Sequence, residues 1–182
     1  MISHAEKTVA RHCGPVLLKK KPASLFSLPP AAAEEFILVS EQERRDIAAE
    51  IFVRYPERIL VFYYNPSLLS ASLRDPVVSA ALETLGYPVK EELKEVLSFL
   101  RNRICHEESF PHEIGFFLGY PREDVEGFMK YRGYNYKCRG QWKVYGDVGK
   151  AESLFREFRE CGNALSKFIE NGGSLHQFIS FQ

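Results

Sequence analysis

The segment Arg58–Tyr64 constrains the fold most, because every residue after the arginine is β-branched, aromatic or leucine. Such residues fit the pleated, half-buried surface of a β-sheet. Asn65 and Pro66 follow directly, and both residue types favour a turn. The segment therefore predicts a central strand. A second, short strand is predicted at Ala23–Leu28, which ends at two prolines.

One helix is predicted in the first half of the chain, from about Ser40 to Tyr55. Ser40 and Glu43 have the spacing of a capping box, in which two side chains satisfy backbone N–H groups at a helix start. Ile47 and Ile51 follow at helical spacing. The helix could begin one turn before Ser40.

Five more helices are predicted toward the carboxyl terminus. They cover residues 67–85, 90–105, 111–119, 121–133 and 151–169. The two short ones each begin at a proline and end at a glycine. Proline suits the first helical position, and glycine suits the position just past the last one. Both ends of these two helices are therefore defined by the sequence.

The segment Tyr134–Asp147 alternates aromatic and polar residues, which predicts a β-hairpin. Because side chains alternate along a strand, Lys143 and Tyr145 should share one face. Trp142 and Val144 should share the other face. The single tryptophan is therefore predicted to lie in the core, not to serve as a stacking platform for a ligand.

The fold class follows from these elements together. An apolar tail at residues 175–181 is predicted to add an edge strand. The chain shows no internal repeat, low-complexity tract or linker, and 182 residues are enough for one hydrophobic core. The prediction is a single α+β domain over residues 1–182, in which about six helices pack on a small mixed sheet.

Composition argues against two classes of partner. Lysine plus arginine and aspartate plus glutamate both number 24, so no net charge draws the chain to nucleic acid or to an anionic membrane. No apolar run approaches the roughly 20 residues of a membrane-spanning helix, and the first residues lack the order of a signal peptide. We expect a cytoplasmic protein with no nucleic-acid and no membrane partner. A small-molecule ligand is compatible with this composition, and protein partners are not predicted.

The four cysteines are Cys13, Cys105, Cys138 and Cys161. No two of them have the spacing of a zinc knuckle or of a thioredoxin-like redox motif. No metal site is therefore predicted. In a reducing cytosol the expectation is four free thiols, most of them buried.

Four blocks of the sequence carry a resemblance to a known family. The longest runs from Phe110 to Phe128, with Phe-Pro-His-Glu-Ile-Gly followed by Gly-Tyr-Pro. The others are residues 12–15 with 21–26, residues 140–147 and residues 155–161. Together they resemble a bacterial domain-of-unknown-function family, the one numbered three-seven-nine-three. The resemblance implies an origin in anaerobic, Clostridia-like bacteria and no assigned activity. Gly14 stands where alanine is expected from the family pattern.

His112 and Glu113 are the first candidate catalytic residues. They follow Pro111 in the first turn of a predicted helix, where the helix dipole stabilises a carboxylate and disfavours a protonated histidine. His112 could then act as a general base that Glu113 orients. The structural alternative is that Glu113 satisfies the helix start, while His112 packs against or caps a neighbouring loop.

Cys13 is the candidate nucleophile. It lies in a His-Cys-Gly-Pro sequence with lysines shortly after it, and cationic neighbours lower the pKa of a thiol. Cys13 and His112 would form a catalytic dyad if the fold brings them together. The alternative is a buried loop thiol, since free cysteines are among the most buried residues.

Three lysine and tyrosine side chains are candidates for binding a ligand. Lys21 is preferred among lysines 19–21 because it belongs to a block of the resemblance, and a solvated loop is the alternative. Lys143 and Tyr145 could line a pocket from the hairpin. The potential metal ligands in residues 105–108 match no metal motif, so a solvated charged connector is the preferred interpretation there.

A DNA-binding helix-turn-helix is a further interpretation of the two short helices, and electrostatics count against it. Glu123, Asp124 and Glu126 open the second helix, where DNA phosphates would approach a recognition helix.

Three functions are compatible with the sequence. The first is a small cytosolic enzyme or redox protein that uses Cys13, His112 and Glu113 on a small-molecule or thiol substrate. The second is a non-enzymatic protein that binds a metal, haem or flavin-type ligand. The third is a protein–protein interaction module. No particular cofactor is predicted.

Overall fold

The computed structural model describes residues 3–43, 46–106, 109–174 and 177–178. In these residues the chain forms eight α-helices and five β-strands, which confirms the α+β class. The helices are α1 (His4–Leu17), α2 (Pro30–Glu43), α3 (Pro66–Leu73), α4 (Pro76–Thr84), α5 (Leu93–His106), α6 (Ile114–Phe117), α7 (Arg122–Tyr131) and α8 (Val148–Glu170). The strands are β1 (Ala23–Leu28), β2 (Ala48–Arg54), β3 (Ile59–Tyr64), β4 (Cys138–Arg139) and β5 (Lys143–Val144).

The chain divides into two compact units. The first unit comprises residues 1–65 and 156–182, and the second comprises residues 66–155. The second boundary falls inside α8. A single domain over residues 1–182 stays a prediction.

A three-stranded sheet forms the centre of the first unit, with strand order β1-β3-β2. β3 is its central strand and β1 has the predicted bounds, so both strand predictions are confirmed. Phe26 of β1 and Ile51 of β2 are both paired with Val61 of β3. The sheet is antiparallel throughout, not mixed. Four residues, 55–58, join β2 to β3, and so short a connection permits only antiparallel pairing.

The core of the first unit is formed by the sheet with α1, α2 and the end of α8. Its most completely buried side chains are Ala10, Cys13, Val16, Leu28, Ala33, Val61 and Leu165. Burial of apolar surface on this scale is the main force that holds such a unit together.

The prediction of a helix at residues 40–55 is wrong. Its supposed first turn is the end of α2, and residues 48–54 form the edge strand β2. Ile47 and Ile51 are only one pair of apolar residues at helical spacing. The hydrogen bonds of residues 48–54 with β3 therefore decide the structure of this segment. Pro30 is the first residue of α2, so the two prolines begin a helix besides ending β1.

Helix α1 occupies a segment for which the sequence predicts no helix. Its start is a capping box: the Ser3 N–H donates to the Glu6 carboxylate at 2.7 Å, and the Glu6 N–H donates to the Ser3 hydroxyl at 3.2 Å. Cys13 and Pro15, which are interpreted from sequence as loop residues, lie in the last turns of this helix.

Gly14 lets α1 and α8 approach closely within the first unit. A Cβ atom at this position would lie 2.6 Å from the carbonyl oxygen of Cys161, which is backbone and cannot turn aside. The alanine expected from the family pattern would therefore overlap α8. In this chain the glycine is required by the packing of the two helices.

The second unit begins with two helices where the sequence predicts one at residues 67–85. Arg74 and Asp75 separate α3 from α4, and Pro76 is the first residue of α4. The Asp75 carboxylate accepts hydrogen bonds from the N–H groups of Val77 and Val78, at 3.0 and 3.2 Å, and so caps α4. Helix α5 corresponds to the helix predicted at 90–105.

Helices α6 and α7 lie within the two predicted segments that are bounded by proline and glycine. The predicted hairpin is also present, as the short strands β4 and β5. Cys138 is paired with Val144, and Arg139 is paired with Lys143. Trp142 and Val144 are buried, which confirms the predicted core face.

Helix α8 ends directly before Asn171, as predicted. The edge strand predicted at 175–181 lies outside the described residues except for 177 and 178, which are helical. Among the described residues, no helix has the length and apolar character that crossing a membrane requires.

Candidate functional site

Asp124 joins α7 to the hairpin in the second unit. This carboxylate is 3% exposed, and its Oδ2 accepts a hydrogen bond from the Trp142 indole N–H at 2.7 Å. Its Oδ1 accepts hydrogen bonds from the backbone N–H groups of Tyr145 and Gly146, at 2.7 and 2.8 Å. Three donors on one buried carboxylate fix the position of the hairpin relative to α7. Asp124 is therefore a buried carboxylate that holds the hairpin on α7, not a solvent-exposed one at the start of that helix.

Glu113 is a second buried carboxylate, and it anchors the start of α6. It is 3% exposed, and its Oε1 accepts a hydrogen bond from the Tyr87 hydroxyl at 2.8 Å. Arg103 Nε, on α5, lies 2.7 Å from the same oxygen. Glu113 makes no side-chain hydrogen bond to the helix start, so the predicted capping role is wrong. Its described partners, Tyr87 before α5 and Arg103 on α5, tie the start of α6 to this part of the chain, and its role as the orienter of His112 stays a prediction.

His112 is exposed at the rim of a cleft. Its ring packs on Phe128 with a centroid distance of 4.6 Å and an interplanar angle of 57°. The cleft has a volume of about 280 Å³ and is formed by α6, α7 and the hairpin. The lining side chains with aromatic or polar groups are Phe110, His112, Tyr120, Asp124, Phe128, Arg139, Gln141, Trp142 and Lys143. The structure thus brings together two residues singled out from the sequence, His112 and Lys143.

Aromatic rings form the wall of the cleft. Tyr120 stacks on Trp142 with a centroid distance of 4.4 Å, and Phe155 packs edge-on against the indole at 4.4 Å. Burial raises the pKa of Tyr120 to about 12, so its hydroxyl stays protonated at neutral pH. Gly140 makes this packing possible, because a Cβ atom there would lie 2.2 Å from the Phe155 ring.

Lys143 brings a positive charge to the cleft. Its Nζ donates to the carbonyl oxygen of Gly133 at 2.8 Å and lies over the rings of Phe128 and Tyr136, 5.6 and 5.1 Å from their centroids. These partners hold the ammonium in place without neutralising it. Arg139 lines the same cleft and is exposed to solvent. Two cations therefore flank an aromatic wall.

Tyr145 does not line the cleft but packs beside it. Its side chain fills the space over Gly127, where a Cβ atom would lie 2.4 Å from the tyrosine ring. The ring also stacks on Tyr131 with a centroid distance of 5.9 Å. Partial burial, together with Tyr136 and Asp124, raises the pKa of Tyr145. Its predicted contact with a ligand stays a prediction.

Cys13 and Lys21 both belong to the first unit. The Cys13 side chain is 0% exposed, and burial raises the pKa of its thiol well above the usual value. The expectation that nearby lysines lower this pKa is therefore wrong, because desolvation dominates. Lys21 is also buried, with Nζ 5.6 Å from the centroid of the Phe158 ring, and burial lowers its pKa to about 8.

The proposed Cys13–His112 dyad pairs a residue of the first unit with a residue of the second. It stays a prediction. His12, next to Cys13, stacks on Phe26 at 5.0 Å, and its pKa is lowered to about 4 by burial and by the charges of Lys21 and Arg11. In this setting both His12 and Cys13 are neutral at pH 7.

We expect Cys13 to resist thiol reagents in the folded protein. At neutral pH a maleimide should label the exposed Cys105, and Cys13 should react only on unfolding in urea. Mass spectrometry of each peptide measures the labelling, and equal labelling rates of Cys13 and Cys105 in the folded protein would contradict this expectation.

Burial of Cys13 also makes the stability of the fold depend on pH. Because folding raises the pKa of Cys13, the unfolded thiol ionises first as the pH rises. The neutral buried thiol therefore stabilises the fold below about pH 8.5 and loses this contribution above it.

Of the potential metal ligands at residues 105–108, Glu107 and Glu108 lie outside the described residues. Cys105 and His106 are exposed at the end of α5. In the part of the chain that the structure describes, no three His, Cys, Asp or Glu side chains are grouped so that they could hold a metal ion.

Comparison with protein families agrees with the resemblance seen in the sequence. A family model described as "Protein of unknown function (DUF3793)" matches residues 9–179. The chain belongs to this family. The match includes every residue of the DUF3793 chain named above as a candidate site residue. No curated protein and no solved structure matches it.

Sequence reasoning missed several residues of the DUF3793 cleft. Tyr120 and Phe128 enter the sequence analysis only as part of the block Phe110–Phe128, and Arg139 only as part of the predicted hairpin. A local signal was available for Arg139, because residues 127–146 contain five lysines and arginines and no carboxylate. The balanced total charge of the chain hides this segregation.

Proposed function

We propose that the second unit binds a small ligand that has a flat body and a negative charge, in the cleft beside His112. The observation that carries this proposal is the meeting of Arg139 and Lys143 with an aromatic wall in one cleft of about 280 Å³. Apolar pockets with a few convergent polar groups are the usual form of a small-molecule site.

The flat body follows from the rings that line the cleft. Phe110 and Phe128 line the cleft with aromatic surface, and the His112 ring packs on Phe128. Aromatic rings prefer to pack against other rings in stacked or edge-on arrangements. The volume of the cleft fits one ring system of moderate size.

The negative charge follows from the balance of ionised groups in the lining. Arg139 and Lys143 are cationic, and Lys143 is held by a carbonyl oxygen and two rings. The one carboxylate in the lining, that of Asp124, already accepts three hydrogen bonds. An anionic group therefore gains more from this cleft than a cation does.

A flavin-type or nucleotide ligand meets both requirements, because each combines a flat ring system with phosphate. This favours the ligand-binding hypothesis over an enzyme with Cys13 as nucleophile, since that thiol is buried and its pKa is raised. We propose the bacterial cytoplasm as the location, where such ligands are available.

Adenosine monophosphate is expected to change the fluorescence of Trp142, the single tryptophan, in a saturable way. Adenosine, which lacks the phosphate, should bind about tenfold more weakly, as expected for the loss of one charge-assisted interaction. Flavin mononucleotide and riboflavin, compared by equilibrium dialysis, should show the same order.

Two arginine variants provide the matched comparison. Arg139→Gln should lower the affinity for adenosine monophosphate about tenfold, because it removes a cation from the cleft. Arg101→Gln removes an exposed cation from α5 of the same unit and should leave the affinity unchanged. Equal effects of the two variants, or no saturable binding of either phosphate ligand, would contradict the proposal.

A further inference from the structure

Residues 127–146 form a strongly basic segment in a chain of balanced charge. The segment contains five cations and no aspartate or glutamate. The cations are Lys130, Arg132, Lys137, Arg139 and Lys143. They come from the end of α7, the turn that follows it, and the hairpin. The equal totals of 24 basic and 24 acidic residues in the whole chain therefore do not describe the electrostatic field at this segment.

None of these five cations is neutralised by a carboxylate within the part of the chain that the structure describes. The Lys137 Nζ donates to the carbonyl oxygen of Gly146 at 2.7 Å, and Lys143 donates to that of Gly133. The Lys130 Nζ lies 5.1 Å from the centroid of the Tyr131 ring. Carbonyl oxygens and ring faces position the charges and leave them able to attract an anion.

Exposed aromatic rings lie among these cations. Seven large apolar side chains are exposed in the described residues; three of them belong to this segment, and a fourth, Phe110, lines the cleft beside it. Their exposed fractions are 47% for Phe110, 40% for Tyr131, 74% for Tyr134 and 42% for Tyr136. Tyrosine rings exposed next to cations are the usual composition of a surface on which bases stack.

The tyrosine surface is continuous with the cleft. Tyr131 stacks on Tyr145 with a centroid distance of 5.9 Å. Lys143 then links Tyr136 to Phe128, since its Nζ lies over both rings. One surface therefore runs from the exposed tyrosines into the aromatic cleft.

We propose that this surface binds single-stranded nucleic acid. The phosphates would follow the five cations, the bases would stack on Tyr131, Tyr134 and Tyr136, and one base would enter the cleft. The last element rests on the proposed function, because it identifies the flat anionic ligand as one nucleotide of a strand. Single strands suit the surface better than a duplex, since only unpaired bases expose the faces that stack on tyrosine.

The acidic residues of α7 that would repel nucleic acid lie toward its amino-terminal end, away from the exposed tyrosines. Glu123 lies in the first turn of α7, and Glu126 is paired with Arg122 at 2.6 Å. Asp124 is buried and accepts a hydrogen bond from Trp142 of the hairpin. Lys130 lies in the last turn. The charges of α7 are thus separated along its length, and the basic end is the one next to the tyrosines.

The test is the binding of fluorescein-labelled oligonucleotides of mixed sequence to the full chain, measured by anisotropy over a range of salt concentrations. Single-stranded RNA and single-stranded DNA are measured separately, which shows whether the surface prefers one of the two. Both should bind at least tenfold more tightly than adenosine monophosphate, and the affinity should fall as salt rises. The duplex of the same sequence and inorganic polyphosphate should bind more weakly than the single strands.

Substitutions outside the cleft locate the surface. The double variant Tyr134→Ala, Tyr136→Ala should weaken the single strand at least tenfold. The double variant Lys130→Gln, Arg132→Gln should reduce the slope of log affinity against log salt by about 1.4, roughly 0.7 for each phosphate contact. The matched controls are Tyr55→Ala in the first unit and Lys94→Gln with Arg101→Gln on α5, and both should bind like the unmodified chain. All these residues are exposed, and circular dichroism verifies that each variant is folded.

The outcomes separate this inference from the proposed function. An oligonucleotide that binds no more tightly than adenosine monophosphate overturns the inference and leaves the proposed function standing. Polyphosphate or duplex binding as tight as the single strand also overturns it, because stacking bases then play no part. Oligonucleotide binding that depends on Tyr134 and Tyr136, without any binding of adenosine monophosphate, supports strand binding at the tyrosine surface. The same result contradicts the proposal that a ligand binds in the cleft.

Discussion

Replacing Asp124 with alanine is expected to lower the free energy of unfolding by about 4 kcal/mol, since it leaves several buried donors without an acceptor. The substitution removes the acceptor of the Trp142 indole and of the backbone N–H groups of Tyr145 and Gly146. Each donor then carries the cost of desolvation without a hydrogen bond. The conservative Asp124→Asn should cost about half as much, because the amide oxygen can still accept from one or two of the donors.

Chemical denaturation measures this loss, and the fluorescence of Trp142 reports the same event locally. The matched control is Glu123→Gln, in the same turn of α7 but exposed, which should change stability by less than about 0.5 kcal/mol. If Asp124→Ala is as stable as Glu123→Gln, the carboxylate does not fix the hairpin to α7. The cleft would then need another explanation for its shape.

Replacing Glu113 with glutamine is expected to lower the free energy of unfolding by about 3 kcal/mol, because it leaves the guanidinium of Arg103 without its carboxylate. Glutamine can still accept the Tyr87 hydroxyl hydrogen bond, so the loss comes mainly from the charge. Thermal and urea denaturation measure it. If Glu113 served only to orient His112, the variant would keep its stability.

The matched control for Glu113 is Glu126→Gln, which breaks the ion pair with Arg122 at the surface of α7. Exposed pairs of this kind contribute about 0.5 kcal/mol or less. Adding Arg103→Met to Glu113→Gln should recover part of the lost stability, since the partly buried charge of Arg103 is then removed as well. An additive double variant would show that the two side chains do not interact.

Much of the second unit could be predicted from local sequence signals. Gly119 and Gly133 lie just past the ends of α6 and α7, and Pro121 lies directly before α7, whereas α6 begins three residues after Pro111. The hairpin and the buried Trp142 follow from alternation along a strand. The break between α3 and α4 was missed although Asp75 before Pro76 is itself a helix-start signal.

The first unit shows where local signals fail. Residues 48–54 could pair with β3 or continue a helix, and the choice depends on a partner distant in sequence. Helix α1 is an exception in this unit, because the spacing of Ser3 and Glu6 is a local signal for its start, and they form a capping box. The close approach of α8 to Gly14 depends on tertiary packing, which no local pattern predicts.

The candidate site was predictable only in part. His112 and Lys143 were selected from the sequence and both line the cleft. Arg139 was missed because total charge was used in place of local charge. The weight given to Cys13 rested on neighbouring lysines, whereas burial decides the pKa of its thiol. Burial is a property of the packed chain, and no local pattern around Cys13 measures it.

The most direct test of the central claim is a titration of isotopically labelled protein with adenosine monophosphate, observed residue by residue through amide chemical shifts. The account predicts that the largest saturable shifts cluster at the cleft of the second unit, around His112, Phe128, Arg139 and Trp142. Largest shifts around Cys13 and Lys21 in the first unit, or no saturable shifts at all, would contradict it.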